Sequence, residues 1–168
     1  FGADSFFLEA ALDVPERTTM AVGFERAGGA RRKRVRRDGA VVDRLSDALG
    51  TLPAVMFSPA DVELVTGSPS ARRRFLDIML ALTSRGYLGA LQRYRGALER
   101  RNAVLRDAAR GGDASSLDVW EGPLAEHGAT LMRARADWVR GATESFAAHC
   151  DAIGEVAAAR LRYQSSAD

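Results

Sequence analysis

Hydrophobic positions along the chain change period near Ser58. Before it, apolar residues come in short runs separated by turn signals. After it, they recur at three- and four-residue intervals. In the first part, Phe6–Leu12 is an apolar segment interrupted by Glu9, and Thr18–Glu25 is rich in Thr and Val; both are predicted strands. Gly28-Gly29 marks a turn. Arg31–Arg37 and Ala40–Val42 flank Asp38-Gly39, a pair that tolerates positive φ and signals a hairpin. The pattern predicts a small antiparallel sheet of three or four strands, which needs an apolar face packed on something. Leu45–Leu49 reads as a short helix, with Ser46, Asp47 and Gly50 near its ends. Pro53 then precedes a predicted buried strand, Ala54–Phe57.

Two helix starts follow in quick succession. Ser58 is a candidate cap with Pro59 at the first helical position, Asp61 at near capping-box spacing, and Phe57 and Val62 at hydrophobic-staple spacing. Gly67 is placed to end this two-turn helix in the left-handed conformation. Ser68-Pro69 repeats the start signal for a helix over Pro69–Leu82, and Thr83-Ser84 interrupts it with Ser84 as a new cap. A long helix, Arg85–Arg110, carries Tyr87, Leu91, Tyr94, Leu98 and Leu105 on a coiled-coil-like seam that Arg101 interrupts. The Gly- and Ser-rich stretch 111–116 breaks it. Ser115, with Asp118 three residues on, marks the next start. Leu117, Trp120, Leu124, His127, Leu131, Ala134 and Trp138 give the second helix its seam. Two such helices joined by a short loop form an antiparallel hairpin. Pro123 should kink the second helix or move its start. That helix is expected to end before Gly154, with Val156–Tyr163 resuming as a strand.

This is an α+β pattern. Its apolar content of 46% is ordinary for a packed core and argues against disorder. No apolar run approaches the roughly 20 residues needed to span a bilayer, and no signal-peptide pattern opens the chain. The lone Cys150 has no internal disulfide partner, and no Cys/His cluster has zinc spacing. A cytoplasmic setting and no membrane partner are expected.

Net charge is only +2, but acids dominate Phe1–Glu25 and bases dominate Arg26–Arg44. Every basic residue except Lys33 is arginine. Codon usage in a GC-rich genome produces that bias, and so does phosphate binding, for which guanidinium offers forked donors. Lys33 lies among arginines without the glycine frame of a P-loop. The chain also shows no Leu-Ser-Gly-Gly signature and no apolar run ending in Asp-Glu.

The string Phe57-Ser58-Pro59-Ala60-Asp61, then Gly67-Ser68-Pro69-Ser70-Ala71-Arg72-Arg73-Arg74-Phe75-Leu76-Asp77, resembles the RecF family of bacterial DNA replication and repair proteins. The resemblance continues through Tyr94-Arg95, Arg100-Arg101-Asn102-Ala103 and Leu117-Asp118-Val119-Trp120, and covers most of the chain. Pro123 departs from it, since the family would carry a helix-former there. The resemblance implies the middle of an SMC-like ABC-type ATPase, excised from a longer protein whose Walker A, signature and Walker B elements lie outside these residues. Residues 1–57 would then be the antiparallel β portion of the ATPase lobe, 58–154 a helical domain with its hairpin, and 155–168 the start of a strand returning to the lobe. The implied full protein binds ATP with Mg²⁺, forms an ATP-dependent homodimer, binds single- and double-stranded gapped DNA, meets recombination mediator proteins and serves DNA repair, replication and the SOS response. The 168 residues alone are not expected to hydrolyse ATP.

Three clusters carry candidate chemistry. Arg31, Arg32, Lys33, Arg34, Arg36 and Arg37 place cations on both faces of a strand: either a charged edge that resists aggregation or a track for DNA phosphates. No aromatic interleaves within that strand, so base stacking is not expected from it. Arg72, Arg73 and Arg74 open a helix, where cations oppose the dipole. They need acids such as Asp61 or Glu63, a DNA phosphate, or a nucleotide-linked contact. Ser58 and Asp61 fall where the resemblance puts the Q-loop, without its glutamine. Asp61 is then either an oxygen ligand or a capping residue. His127 and His149 read as structural, Trp120 and Trp138 as core, and Arg100-Arg101-Asn102 as facing solvent or a partner. A non-enzymatic helical-hairpin interaction module with a basic β-hairpin is the alternative reading. A sequence-specific helix-turn-helix regulator is weaker, because the arginine helix lacks an Asn/Gln/Arg set at recognition spacing.

Overall fold

The computed structural model describes residues 3–13, 17–52, 54–155 and 157–165 of the 168-residue chain. It divides into two units, Phe1–Asp61 and Val62–Asp168.

The first unit is a four-stranded antiparallel meander: β1 (Ser5–Leu12), β2 (Thr18–Ala27), β3 (Ala30–Arg37) and the short β4 (Ala40–Val41), in that spatial order. Its tight turns are the predicted ones. Gly28 and Gly29 take φ of 56° and 81°, and Asp38 and Gly39 take 50° and 80°. Positive φ at both central residues gives the turn twist that matches paired strands. Asp38 tolerates this because its Oδ1 accepts the Thr19 N–H at 2.8 Å.

Side chains alternate along a strand, so the register assigns faces. One face gathers Phe6, Leu8 and Ala10 of β1, Met20, Val22 and Phe24 of β2, and Val35 of β3. Phe6 stacks on Phe24 at 5.3 Å. Met20 and Val35 are buried, but Phe6 remains 48% and Leu8 64% exposed. The other face carries Phe7 and Glu9 of β1, Ala21, Gly23 and Glu25 of β2, and Arg32, Arg34 and Arg36 of β3. The expected short helix is a 3-10 turn at Leu45–Ala48 beside β3.

The stretch 54–57 corrects the sequence reading. It is not a strand, and Val55 and Phe57 are 99% and 86% exposed. An apolar run specifies a strand only when neighbouring strands and a covering layer accept it, and the described residues supply neither. Phe57 is too exposed to staple to Val62. Pro53, Val156 and the first residue of the chain lie outside the described residues, and residues 157–165 form no strand.

At the boundary between the units, a 3-10 turn at Pro59–Val62 runs into α1 (Glu63–Thr66), together the predicted two-turn helix. Gly67 ends it in extended backbone, with φ −84° and ψ −170°, rather than the left-handed region. Its lack of a side chain matters differently: a Cβ there would collide with the carbonyl of Glu63. α2 (Pro69–Thr83), α3 (Arg85–Ala108) and α4 (Asp118–Ala152) follow. Ser84 caps α3 as predicted, accepting the Tyr87 N–H at 3.2 Å. Ser115 does not cap α4, because its N–H and hydroxyl both go to Asp113, at 2.8 and 2.5 Å. Pro123 leaves α4 uninterrupted. It sits in the second turn, and the carbonyl it deprives of a donor belongs to exposed Val119. Gly154, at φ 84°, closes α4, with its N–H on the Asp151 carbonyl and the Glu155 N–H on that of Cys150.

α3 and α4 pair antiparallel: Tyr87 meets Arg135, Tyr94 meets Gly128, and Arg100 lies over Trp120. At 1.5 Å per residue the two are about 36 and 52 Å long. Leu80, Tyr87, Ala90, Leu91 and Leu131 form the buried core of this unit, flanked by Ala81, Tyr94, Ala134 and Trp138. Beside it sits a polar network. The buried Asp77 of α2 accepts the Tyr87 hydroxyl at 2.5 Å and Arg135 Nη2 at 2.6 Å, both on Oδ1, and Arg95 Nη2 at 3.2 Å on Oδ2. Arg135 Nε also donates to the Tyr87 oxygen at 3.1 Å. One carboxylate thus ties three helices.

Asp77→Ala leaves the mostly buried Arg135 guanidinium without its counter-charge. It should destabilise the helical unit by about 3–5 kcal/mol in urea unfolding. The phenol of Tyr87 gives a second signature: burial, then its bond to Asp77, pushes its pKa up from 10.0 to about 12. Below pH 10 the phenol is protonated in both states and contributes no pH dependence. Between 10 and 12 the unfolded chain loses this proton while the folded chain keeps it, so stability falls as pH rises. Tyr87→Phe should remove that alkaline component from a pH series of unfolding midpoints.

Candidate nucleic-acid interface

The cations of β3 are all exposed. Arg37 lies 3.7 Å from Asp38. Among the described residues, Arg31, Arg32, Lys33, Arg34 and Arg36 make no ion pair, although Glu25 stands across from Arg32 in the register. Strand alternation sends Arg32, Arg34 and Arg36 to one face and Arg31, Lys33 and Arg37 to the other. The first set is spaced by about 6.8 Å along the strand, twice the antiparallel rise. The cross-strand row through its centre is Phe7, Gly23, Arg34. An aromatic therefore does share the arginine face, contrary to the expectation drawn from β3 alone. The register brings it from β1, two strands away.

Arg72, Arg73 and Arg74 fall at the fourth to sixth positions of α2 and are exposed. None reaches an acid among the described residues. Arg72 instead donates through Nη1 to the carbonyls of Gly67 at 2.9 Å and Leu64 at 3.4 Å, serving the C-terminal end of α1. Backbone carbonyls, which the sequence argument had not weighed, supply its negative partner. Arg73 and Arg74 make no such contact.

Ser58 and Asp61 are brought together. Asp61 Oδ2 accepts the Ser58 N–H at 2.6 Å and its hydroxyl at 3.1 Å. This is the acid's half of a capping box, with the Ser hydroxyl donating to the carboxylate rather than accepting from the helix. Arg100 stacks over Trp120 at 5.4 Å, Arg101 is half-buried, and Asn102 is exposed. Trp138 meets Phe75 edge-on at 6.2 Å. His127 is partly buried beside Glu126, and His149 Nδ1 sits 2.6 Å from the Ser145 carbonyl oxygen.

Sequence reasoning missed the Asp77 network, although a signal existed. Asp77 precedes Leu80 and Ala81 at spacings of three and four, so it is an acid on the buried stripe of α2. Such an acid demands buried donors.

A small antiparallel sheet with one arginine-lined face, followed in the chain by a helical unit with a long antiparallel hairpin, defines the class as α+β. No protein-family model matches the chain. It is 33% identical to the DNA replication and repair protein RecF of Prosthecochloris aestuarii over 99% of its length and 45% of that protein's. It is 32% identical to RecF of Chlamydia trachomatis over 99% and 43%, and 42% identical to RecF of Thermomicrobium roseum over 73% and 33%. Its fold matches two solved structures of the recombination mediator protein RecF in the RecFOR pathway, described with ATP and with ATPrS. The TM-scores are 0.80 and 0.78, and each covers 92% of this chain at 24% and 23% identity. The chain belongs to the RecF family. It spans less than half the length of these curated relatives. None of the helices described is long and apolar enough to cross a membrane.

The three helix-start arginines should separate by role. Arg72→Gln removes the donor to two carbonyls and should cost about 1 kcal/mol of stability. Arg73→Gln and Arg74→Gln should stay within about 0.5 kcal/mol of the parent. Urea midpoints of the three variants check this.

Proposed function

We propose that the chain serves in a RecF-like recombinational repair and replication ATPase as the part that contacts DNA and partner proteins. In the whole protein, ATP with Mg²⁺ binds between two protomers, and closure tightens the grip on single- and double-stranded gapped DNA. The hairpin of α3 and α4 is a contact arm for DNA and for recombination mediator proteins. The 168 residues hold no Gly-x-x-x-x-Gly-Lys-Ser/Thr frame, so nucleotide contact from this chain is confined to Ser58 and Asp61 in a Q-loop-like position. Asp61 already has two donors from Ser58, which favours its capping role over metal ligation.

One observation carries the reading: the sheet has two unsatisfied faces of opposite character. Phe6 and Leu8 leave an apolar face open to a covering layer, as the β portion of an ATPase lobe requires. The other side presents Arg32, Arg34 and Arg36, exposed and in no ion pair among the described residues, as a phosphate contact requires. The RecF matches, one of them described with ATP, support the same assignment. A stand-alone interaction module accounts for the hairpin but not for both sheet faces.

Arg73 and Arg74 are free to meet phosphate, and Arg72 is not. In the intact polypeptide, the double variant Arg73→Gln/Arg74→Gln should lower the slope of log affinity for duplex DNA against log salt by about 1.8, at roughly 0.9 per lost phosphate contact. Fluorescence anisotropy across a salt series measures it. An unchanged slope would remove these two residues from the DNA contact.

A further inference from the structure

We infer that the arginine face of the sheet is a groove for single-stranded nucleic acid, in which an unstacked base lies on Phe7 and its phosphates run along Arg32, Arg34 and Arg36. This rests on the DNA-binding reading above and assigns one form of DNA to one face.

The geometry is set by the central cross-strand row. Phe7, Gly23 and Arg34 are directly opposite one another on three adjacent strands. Neighbouring strands lie about 4.8 Å apart, so Phe7 and Arg34 project from backbones about 9.6 Å apart. Between them the floor has no side chain. A Cβ built at Gly23 would meet only Phe7, at 3.9 Å. The next row along β2 carries Ala21, the smallest side chain that could follow. A trough one strand wide therefore opens over Gly23 and Ala21 of β2, with Arg34 and Arg36 on one side, Phe7 and Glu9 on the other, and Glu25 closing the end beside Arg32.

The chemistry of the walls selects the ligand. Phe7 is 61% exposed and lies on the face opposite the stacked Phe6 and Phe24, so it does not belong to the packing of the sheet. An exposed aromatic next to cations is the combination on which single-stranded nucleic acid binds, base on ring and phosphate on guanidinium. A duplex keeps its bases stacked and offers only phosphate, which would leave Phe7 and the empty floor without a role. The spacing of about 6.8 Å between successive arginines on this face suits an extensible single strand. Acids limit the length of the track. Glu25 stands beside Arg32, and Glu9 lies across Ala21 from Arg36. The centre of the site is accordingly Arg34 with Phe7, and its length is one or two nucleotides.

The experiment compares three probes on the intact polypeptide: a dT-only oligonucleotide, a mixed-sequence duplex, and polyglutamate. Phe7→Ala removes the platform, and Gly23→Val fills the trough with a strand-favouring side chain. Each should weaken dT binding by about tenfold while leaving duplex affinity unchanged. Phe7→Trp should keep dT binding. Arg34→Gln should lower the salt slope for the single strand by about 0.7. Urea midpoints of Phe7→Ala and Gly23→Val matching the parent exclude a folding defect, and Phe7→Ala suffices if Gly23→Val fails to fold. Undiminished dT binding by Phe7→Ala alongside intact duplex binding would overturn the groove and leave the DNA reading standing. Failure of the parent to bind either DNA would overturn both. Polyglutamate binding more tightly than dT would give the face to an acidic protein segment and overturn the groove as well.

Discussion

A carboxylate that is buried must be met by donors, and Asp77 is where the helical unit meets that demand. Left alone in a low-dielectric site, such a group would cost several kcal/mol or take up a proton. Here it receives a phenol from one end of α3, a guanidinium from about two turns further on, and a second guanidinium from the middle of α4. Those three donors come from positions 10, 18 and 58 residues away in the chain. Satisfying them together fixes where α3 and α4 stand relative to α2. Burial alone would lower the affinity of Arg135 for its proton, and the hydrogen bond and charge of Asp77 outweigh that and raise it. The Arg135 guanidinium therefore keeps its charge in the folded state. Apolar packing of Leu80, Leu91 and Leu131 holds the same junction together but is indifferent to register. The polar network supplies the register.

That constraint clarifies the Arg-Arg-Arg-Phe-Leu-Asp string. Its residues are not one functional patch. Arg72 serves the carbonyls at the end of α1, Phe75 packs edge-on against Trp138, and Asp77 is the hub of the network. Only Arg73 and Arg74 point away from every described partner. A string that draws attention through its cations is, in half of its positions, a device for docking α2 on its neighbours.

Much of the architecture was legible because it depends on local chemistry. The two hairpin turns needed Gly28-Gly29 and Asp38-Gly39, and those pairs have few other uses. Ser84 and Gly154 punctuate helices by rules that act within four or five residues. The misreadings have a common cause, in that each residue's role is decided by groups outside its own segment. The apolar run 54–57 reads as a buried strand, but nothing among the described residues covers it. Ser115 has cap spacing, yet Asp113 competes for its hydroxyl and wins over the shorter distance. Gly67 was placed correctly and explained incorrectly, since it is a close approach to Glu63 and not a left-handed turn that excludes a side chain there. For the candidate site, the cations were visible one by one. Their division between two faces, and the arrival of Phe7 beside Arg34, depend on strand register, which a single segment does not encode.

The bias toward arginine still has to be weighed as a cause in itself. Two unit charges about 6.8 Å apart in water repel by only about 0.6 kcal/mol, and physiological salt reduces that further. A row of three cations on an exposed strand is thus cheap to maintain, and the fold does not need a ligand to tolerate it. Edge protection also has a real basis, because β4 pairs only with Arg36 and Arg37 and leaves most of the outer side of β3 unpaired. Both considerations explain charge on β3, and both apply equally to its two faces. Neither explains why only one face joins its arginines to a side-chain-free floor and an exposed phenyl ring, while the other joins its cations to Val35, Met20 and Phe24 in an apolar layer. Gly23 is the informative residue: glycine in a strand interior is unfavourable by roughly 0.5–1 kcal/mol relative to alanine, and its φ here is not positive, so no turn requires it. A glycine there leaves the backbone open to close approach, and on this face the groups around that place are suited to a base and its phosphates.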